Sequence, residues 1–357
     1  MNSQTASQLP RLLVTGATGF IGSRLALHAH RAGFDVVATG RAESPVEHAR
    51  GDELRRNGVQ FHAGLLQDES FVESLLHERT VVIHLAAAQH ESSMPEAYFH
   101  ATNVDVTERL LQQCAAAGIH RFVYGSSIGV YGQSGFGDAG SEPLDESSPL
   151  QPDNMYTRSK AAAERVVRAH HSRMQTCIAR IGETYGPGDS RLLKLFRSVA
   201  RHRFVMIGNG LNQRQCIHVQ DLIRALLLAA QHPAAAGETF IFAGPRAITT
   251  REMVNAIAEA IGVAPSKRHV PMWPFLATAK VMETVLPPLH LPAPLNTRRL
   301  DFFRKSLTFS TSKAEALLGF RAEIDFPQGA VDTAAWYCGR GDLPKEVTPA
   351  LAPTQSV

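Results

Sequence analysis

Cysteine is scarce in this chain. It has four in 357 residues, at positions 114, 177, 216 and 338, with no Cys-x-x-Cys and no other metal-ligand spacing. That excludes a disulfide framework and a cysteine-based zinc site, and reduced thiols in a cytoplasmic protein are expected. Charge of one sign is equally scarce: 36 Lys and Arg stand against 33 Asp and Glu, a dispersed net charge of +3. No nucleic-acid partner is expected from so mild a balance. No apolar run reaches the ~20 residues that cross a bilayer, so no transmembrane segment is expected. The polar stretch Met1–Pro10 does not read as a signal peptide. The 16 histidines include no His-Glu-x-x-His; His28, His30 and His170-His171 read as helix surface, and no metal site is expected. There is no internal repeat.

What the chain does have is glycine in a telling place. Leu12-Leu13-Val14 is followed by Gly16-Ala17-Thr18-Gly19-Phe20-Ile21-Gly22. The spacing predicts a short buried strand over 11–15, a tight turn at Gly16 and a helix from Gly19 to about Arg31. Gly19 would let backbone approach a pyrophosphate, and Gly22 would let helix and strand pack closely. The helix start then faces the phosphates with its N–H groups and positive dipole end. Strand, loop and helix in this order predict a dinucleotide site, with Gly16, Thr18, Gly19, Phe20, Ile21 and Gly22 as its candidate residues.

About 140 residues on lies Tyr156-Thr157-Arg158-Ser159-Lys160. Tyr156 and Lys160 share one face of an amphipathic helix expected over Tyr156 to about His170. A free phenol, with a pKa of about 10, is a poor base. A neighbouring ammonium and a positive nicotinamide ring would lower it toward usable acid/base chemistry. Upstream, a strand at Arg121–Tyr124 delivers Gly125-Ser126-Ser127 at its carboxyl end, where ligands bind in a doubly wound sheet. Ser127 can donate to a substrate oxygen as charge develops there; Ser126 reads as a backbone-bonding strand-end residue.

The glycine motif, Ser-Ser-Ile-Gly-Val-Tyr-Gly and Tyr-x-x-x-Lys together resemble the extended short-chain dehydrogenases/reductases, the family that includes nucleotide-sugar epimerases and dehydratases. The resemblance covers roughly residues 11–340. It implies Ser127, Tyr156 and Lys160 as the catalytic set, with Lys160 also bonding the nicotinamide ribose. It further implies that Leu85, Ala86 and Ala87 lie beside the cofactor, that Asn103 braces the sheet, and that the helices at about Tyr98–Ala117 and Tyr156–His170 form a homodimer. His84 reads as a core histidine. Leu65 stands where the family carries an Asp near the adenine. Arg41, at the end of the second strand, is a cation suited to a 2′-phosphate, so the expected cofactor is NAD(P), leaning to NADP.

The fold class expected is α/β, a doubly wound parallel sheet (Rossmann) with a smaller C-terminal substrate-binding lobe. Residues 1–10 are assigned to a flexible N-terminus, 11–182 with 216–245 to the cofactor domain, 183–215 and 246–340 to the lobe, and 341–357 to a disordered tail. Gly135–Ser148 reads as a surface loop. For the substrate, Arg214 and His218 match the family's Arg-x-x-x-His-Val-x-Asp, whose Arg binds phosphate in sugar-nucleotide enzymes. Glu183 opposes this, since sugar epimerases often carry Asn there and a carboxylate repels a pyrophosphate unless paired, with Arg180 or Lys194 as candidate partners under a diphosphate ligand. Under an apolar ligand Arg214 is expected instead to be a structural partner, with Glu183 itself as the candidate. His218 and Asp221 read as stabilising the turn into the next helix. The apolar segment Met272–Leu295, with Trp273, Phe275 and Leu276, is similar to the 3β-hydroxysteroid dehydrogenase-like branch and offers an apolar substrate wall. Two enzyme readings therefore stand: a nucleoside-diphosphate-sugar epimerase, dehydratase or reductase, and a dehydrogenase/ketoreductase on a lipid-like or other small carbonyl. A non-catalytic cofactor sensor ranks behind both, because Tyr156 and Lys160 are retained.

Overall fold

A computed structural model describes residues 9–89, 94–135, 142–286, 295, 297–347 and 349. Strand β1 (Leu12–Thr15) is buried throughout because both its faces are covered. Leu12 and Val14 enter one buried cluster and Leu13 the other, the alternation a strand imposes. There follow α1 (Phe20–Arg31), β2 (Val36–Gly40), α2 (Pro45–Arg56), β3 (Gln60–Ala63), α3 (Glu69–Leu75) and β4 (Val81–His84). The helix expected over Tyr98–Ala117 begins earlier, as α4 (Glu96–His100), and widens through a π turn (Ala101–Asp105) before α5 (Val106–Ala116). That turn carries Asn103, whose side chain accepts from Ala88 N at 2.8 Å and donates to Ala88 O at 3.0 Å and Ser159 Oγ at 2.8 Å. It ties the end of β4 to the next helix, as a bracing residue should.

Then come β5 (Arg121–Ser127), α6 (Met155–Ala169), β6 (Gln175–Ile181), β7 (Thr184–Tyr185), α7 (Leu193–Ala200), β8 (Met206–Ile207), β9 (Gln213–Arg214), β10 (Ile217–His218), α8 (Val219–Gln231) and β11 (Thr239–Phe242). The chain closes with β12 (Ile248–Thr249), α9 (Thr250–Ala260), β13 (His269–Val270), α10 (Trp273–Val285), α11 (Thr297–Arg304), α12 (Ser312–Leu318) and α13 (Phe326–Gly339). Seven strands form one parallel sheet in the order β3-β2-β1-β4-β5-β6-β11. Strand order reverses between β1 and β4, so a crevice opens there at the carboxyl ends of the strands. This is the doubly wound fold expected. A second core, with Phe196, Met253, Ile257, Phe326 and Tyr337, packs α7, α9 and α13 into the smaller lobe.

The tail assignment needs correction. Leu343 and Val347 are buried in that second core, and Arg197 donates to Asp342 O at 2.7 Å. Apolar burial therefore holds 341–347 in place; residues 348 and 350–357 lie outside the described residues, as do 1–8. The loop expected at Gly135–Ser148 lies partly outside them (136–141), as does the proline-rich run 287–294. Helix α10 borders none of four cavities among the described residues: of its residues only Ala279 is buried, and Trp273 is 72% exposed. Among the described residues, no helix is long and apolar enough to cross a membrane.

Candidate active site

Gly16 makes the first turn at φ +68°, and a Cβ there would sit 2.6 Å from Ala86 N. A Cβ on Gly22 would sit 2.3 Å from Gly16 O. Only hydrogen fits at either place, so the loop closes tightly between β1 and α1. No side chain caps the start of α1, which leaves that end for an anion. The cradle therefore suits a dinucleotide phosphate. Thr18, Gly19, Arg41, Leu65, Leu85, Ala86 and Ala87 line one cavity of about 490 Å³ running along it. Phe20, Ile21, Gly22, Ser127, Tyr156, Lys160 and Glu183 line a second, of about 460 Å³, that shares Gly16, Gly19, Arg41 and Leu85 with the first. All the candidate cofactor residues thus border one groove.

Arg41 reaches Glu47 at 3.5 Å and Glu43 at 3.8 Å. Arg50, which the sequence reading missed, donates to Thr18 O at 2.9 Å and Gly188 O at 3.2 Å, joining the cofactor loop to the turn after β7.

Helix α6 starts at a capping box between Asn154 and Thr157, which fixes where Tyr156 emerges. Ser127, the last residue of β5, shares a cavity with the Tyr156 phenol, and its Oγ accepts from Gly129 N at 3.1 Å. Lys160 Nζ donates to Gly125 O at 2.7 Å and lies 4.7 Å from the centre of the Tyr124 ring. The expected lowering of Tyr156 is not what this geometry produces. Burial pushes its phenol up to about 12, opposed by the Ser127 hydroxyl and the Arg191 charge. Burial likewise pulls the Lys160 ammonium down to about 7, opposed by Glu164. Both shifts favour the neutral form, so the phenol holds its proton at neutral pH unless further positive charge lies beside it.

Behind this set lies a buried carboxylate that no motif announces. Glu164 accepts from Ser126 Oγ at 2.6 Å, from Arg180 Nε at 3.1 Å and Nη2 at 2.9 Å, and from Arg168 at 2.8 Å. Burial alone would raise its pKa; Arg180, with Ser126 and Arg168, more than offsets that and holds it below the usual value. Two readings are corrected here. Ser126 bonds a carboxylate and not backbone, and Arg180 is committed to Glu164 and to Tyr131 Oη at 2.6 Å, so it does not pair with Glu183.

Glu183 pairs with Arg214, at 2.9 Å, the partner expected under the apolar-ligand reading and not the Arg180 or Lys194 expected under the diphosphate one. Arg214 does not border the Tyr156 cavity; it lines an adjoining one of about 510 Å³ with Lys194, Phe302 and Phe303. Glu183, Thr184, Asp189 and Arg191 border both cavities. Arg191, also missed from sequence, is held by Asp189 at 2.9 Å through its backbone and side chain; its position just after Tyr185-Gly186-Pro187-Gly188-Asp189 was the available signal. Trp273, Phe275 and Leu276 border neither cavity. His84 is the core histidine expected: it bonds Thr15 at 2.7 Å and Thr107 at 3.1 Å, and burial and the Lys160 charge lower it to about 3. His218 caps α8, whereas Asp221 reaches farther than a local turn, accepting from Glu323 N at 3.0 Å and Ile324 N at 2.8 Å.

A glycine-cradled dinucleotide groove ending at Ser127, Tyr156 and Lys160 marks an oxidoreductase of the extended short-chain type that uses a nicotinamide dinucleotide. The model of the NAD dependent epimerase/dehydratase family matches residues 12–243, and the chain belongs to that family. It is 29% identical to the dTDP-glucose 4,6-dehydratase of Streptomyces antibioticus, covering 91% of this chain and 92% of that protein. It is 28% identical to the UDP-glucose 4-epimerase of Vibrio cholerae, covering 73% and 79%. Among solved structures it is similar to MoeE5 in complex with UDP-glucose and NAD, with 26% identity, a TM-score of 0.70, and 92% of this chain and 99% of that one covered.

Proposed function

We propose that this enzyme transfers a hydride at a secondary alcohol or ketone carbon of a nucleoside-diphosphate sugar. The observation that carries the reading is the pair of cavities meeting at Glu183 and Arg191. The outer one offers cations for a diphosphate (Arg191, Lys194, Arg214) and flat apolar walls for a base (Phe302, Phe303). Ser127 and Tyr156 line the inner one. The relatives named for UDP-glucose and dTDP-glucose support the same class.

In this reading the nicotinamide, when bound, accepts or returns the hydride. Ser127 donates a hydrogen bond to the reacting oxygen, and Tyr156 moves the proton at that oxygen. Lys160, one turn along α6, favours the phenolate. Dehydration would additionally remove a ring proton and expel a hydroxyl, which needs a further acid and base. Among the described residues bordering the inner cavity the carboxylates are Glu183 and Asp189, each paired with an arginine.

UDP and dTDP binding to the cofactor-loaded enzyme tests the substrate class. Arg214→Ala should weaken it roughly 10- to 100-fold, and added salt should weaken it as well. Salt-insensitive turnover of a neutral ketone, indifferent to Arg214→Ala, would end the reading.

For the cofactor we propose that Arg41 turns from Glu43 and Glu47 to a 2′-phosphate, favouring NADP. Arg41→Asp should then shift the ratio of NADPH to NADH affinity toward NADH. A wild type that already binds NADH better would leave Arg41 with its ion pairs alone.

A further inference from the structure

The Glu183–Arg214 pair has unequal partners. Arg214 is fixed: its backbone pairs with Ile248 across β9 and β12, its guanidinium lies 4.3 Å from the centre of the Phe302 ring, and Nη2 donates to Phe302 O at 2.9 Å. Its side chain is 10% exposed, against 46% for Glu183. Its Nε is buried with no hydrogen-bond partner, a donor left unsatisfied at real cost. Glu183 meanwhile lines both cavities, and besides Arg214 its half-exposed carboxylate accepts from the Cys216 thiol at 3.6 Å, so it is the less firmly held partner of the pair.

We infer that Glu183 is a specificity-determining residue, a built-in competitor that holds Arg214 until a ligand carrying two phosphate charges displaces it. The inference rests on the nucleoside-diphosphate reading of this site. The outer cavity sets three cations, Arg191, Lys194 and Arg214, against two carboxylates, Glu183 and Asp189. A neutral ligand makes no claim on Arg214 and leaves the pair across the neck. A diphosphate brings more negative charge than the one carboxylate it replaces, and offers further acceptors to the guanidinium. Selection thus comes from a repulsive element as well as an attractive one.

The test is calorimetric titration of UDP, with uridine as the neutral control, into cofactor-loaded enzyme. Glu183→Gln should bind UDP roughly five- to tenfold more tightly and leave uridine unchanged. The gain should vanish in the Arg214→Ala background, because the competitor then has nothing to hold. Glu183→Asp, whose shorter carboxylate loses the 2.9 Å contact, should fall between and serves if the Gln variant fails to fold. Equal or weaker UDP binding by Glu183→Gln overturns the inference and leaves the substrate class standing. So does a gain that persists without Arg214, which would reflect bulk charge. Absence of UDP and dTDP binding in every folded variant, wild type included, overturns the substrate class itself.

Discussion

Tyr156→Phe is expected to lower turnover by roughly 10²–10⁴-fold, the usual contribution of a positioned acid or base. Cofactor affinity should stay within a few-fold. The phenol hydroxyl is the group removed; the ring, the capped start of α6 and the glycine cradle remain. Because burial places the phenol at about 12 without cofactor, the sign of the pH effect is defined. Alcohol oxidation needs the phenolate, so wild-type oxidation should rise with pH until Tyr156 is deprotonated in the complex, at a value below 12. The Phe variant should lack that limb. Ser127→Ala should cost roughly 2.7–4 kcal/mol if it acts as a lost oxyanion donor. Near-normal turnover by Tyr156→Phe would remove the proton-transfer role assigned to it.

Arg180→Leu should destabilise the protein by about 3–5 kcal/mol, because it strands a buried carboxylate. Both side chains are almost fully buried, at 3% and 0% exposure. Leucine takes two of the bonds to Glu164 and also those to Tyr131 Oη and Glu146 O. The melting temperature should fall on the order of 10 °C. Arg168→Leu is the control: its side chain is 44% exposed, and its pair should be worth no more than about 1 kcal/mol. The acid dependence follows from the depressed pKa of Glu164. Its stabilisation is present above the unfolded value and is lost as pH falls through the folded one. In Arg180→Leu the stranded carboxylate should titrate at higher pH than in wild type, and lowering the pH through that value should relieve part of the destabilisation. Equal melting temperatures for the two variants would show that the buried pair is not a stability element.

The cofactor end of the site was legible because its chemistry is local. Gly16, Gly19 and Gly22 lie within one turn of chain, and Tyr156 and Lys160 within one turn of helix, so spacing alone brings them together. The apolar run expected as a strand over 11–15 is β1 (Leu12–Thr15), whereas the strand expected at Arg121–Tyr124 continues three residues further to Ser127 and β11 was not anticipated. The partners of charged groups were not legible. Glu164 and Arg180 meet only because α6 packs beside β5 and β6, and no short-range pattern encodes that. The Glu183–Arg214 pair was one of the alternatives the sequence left open, and only the packing of the strands they adjoin selects it. Burial was hidden too, so Tyr156 was expected low where desolvation drives it high. The tail reads as disordered by composition, yet Leu343 and Val347 supply enough apolar surface to dock it.

The central claim, hydride transfer between a bound nicotinamide and a nucleoside-diphosphate sugar, is tested most directly with sugar deuterated at the reacting carbon. Cofactor-loaded wild type and Tyr156→Phe would be incubated with UDP- and dTDP-hexoses carrying the label, and both cofactor and product analysed by mass spectrometry. The account predicts that wild type moves the label to the nicotinamide, or returns it to the same carbon of an epimerised product without exchange with solvent, and that Tyr156→Phe does neither. Label washed out into solvent with the nicotinamide unlabelled throughout, or sugar left untouched while a neutral ketone is reduced at full rate, would contradict it.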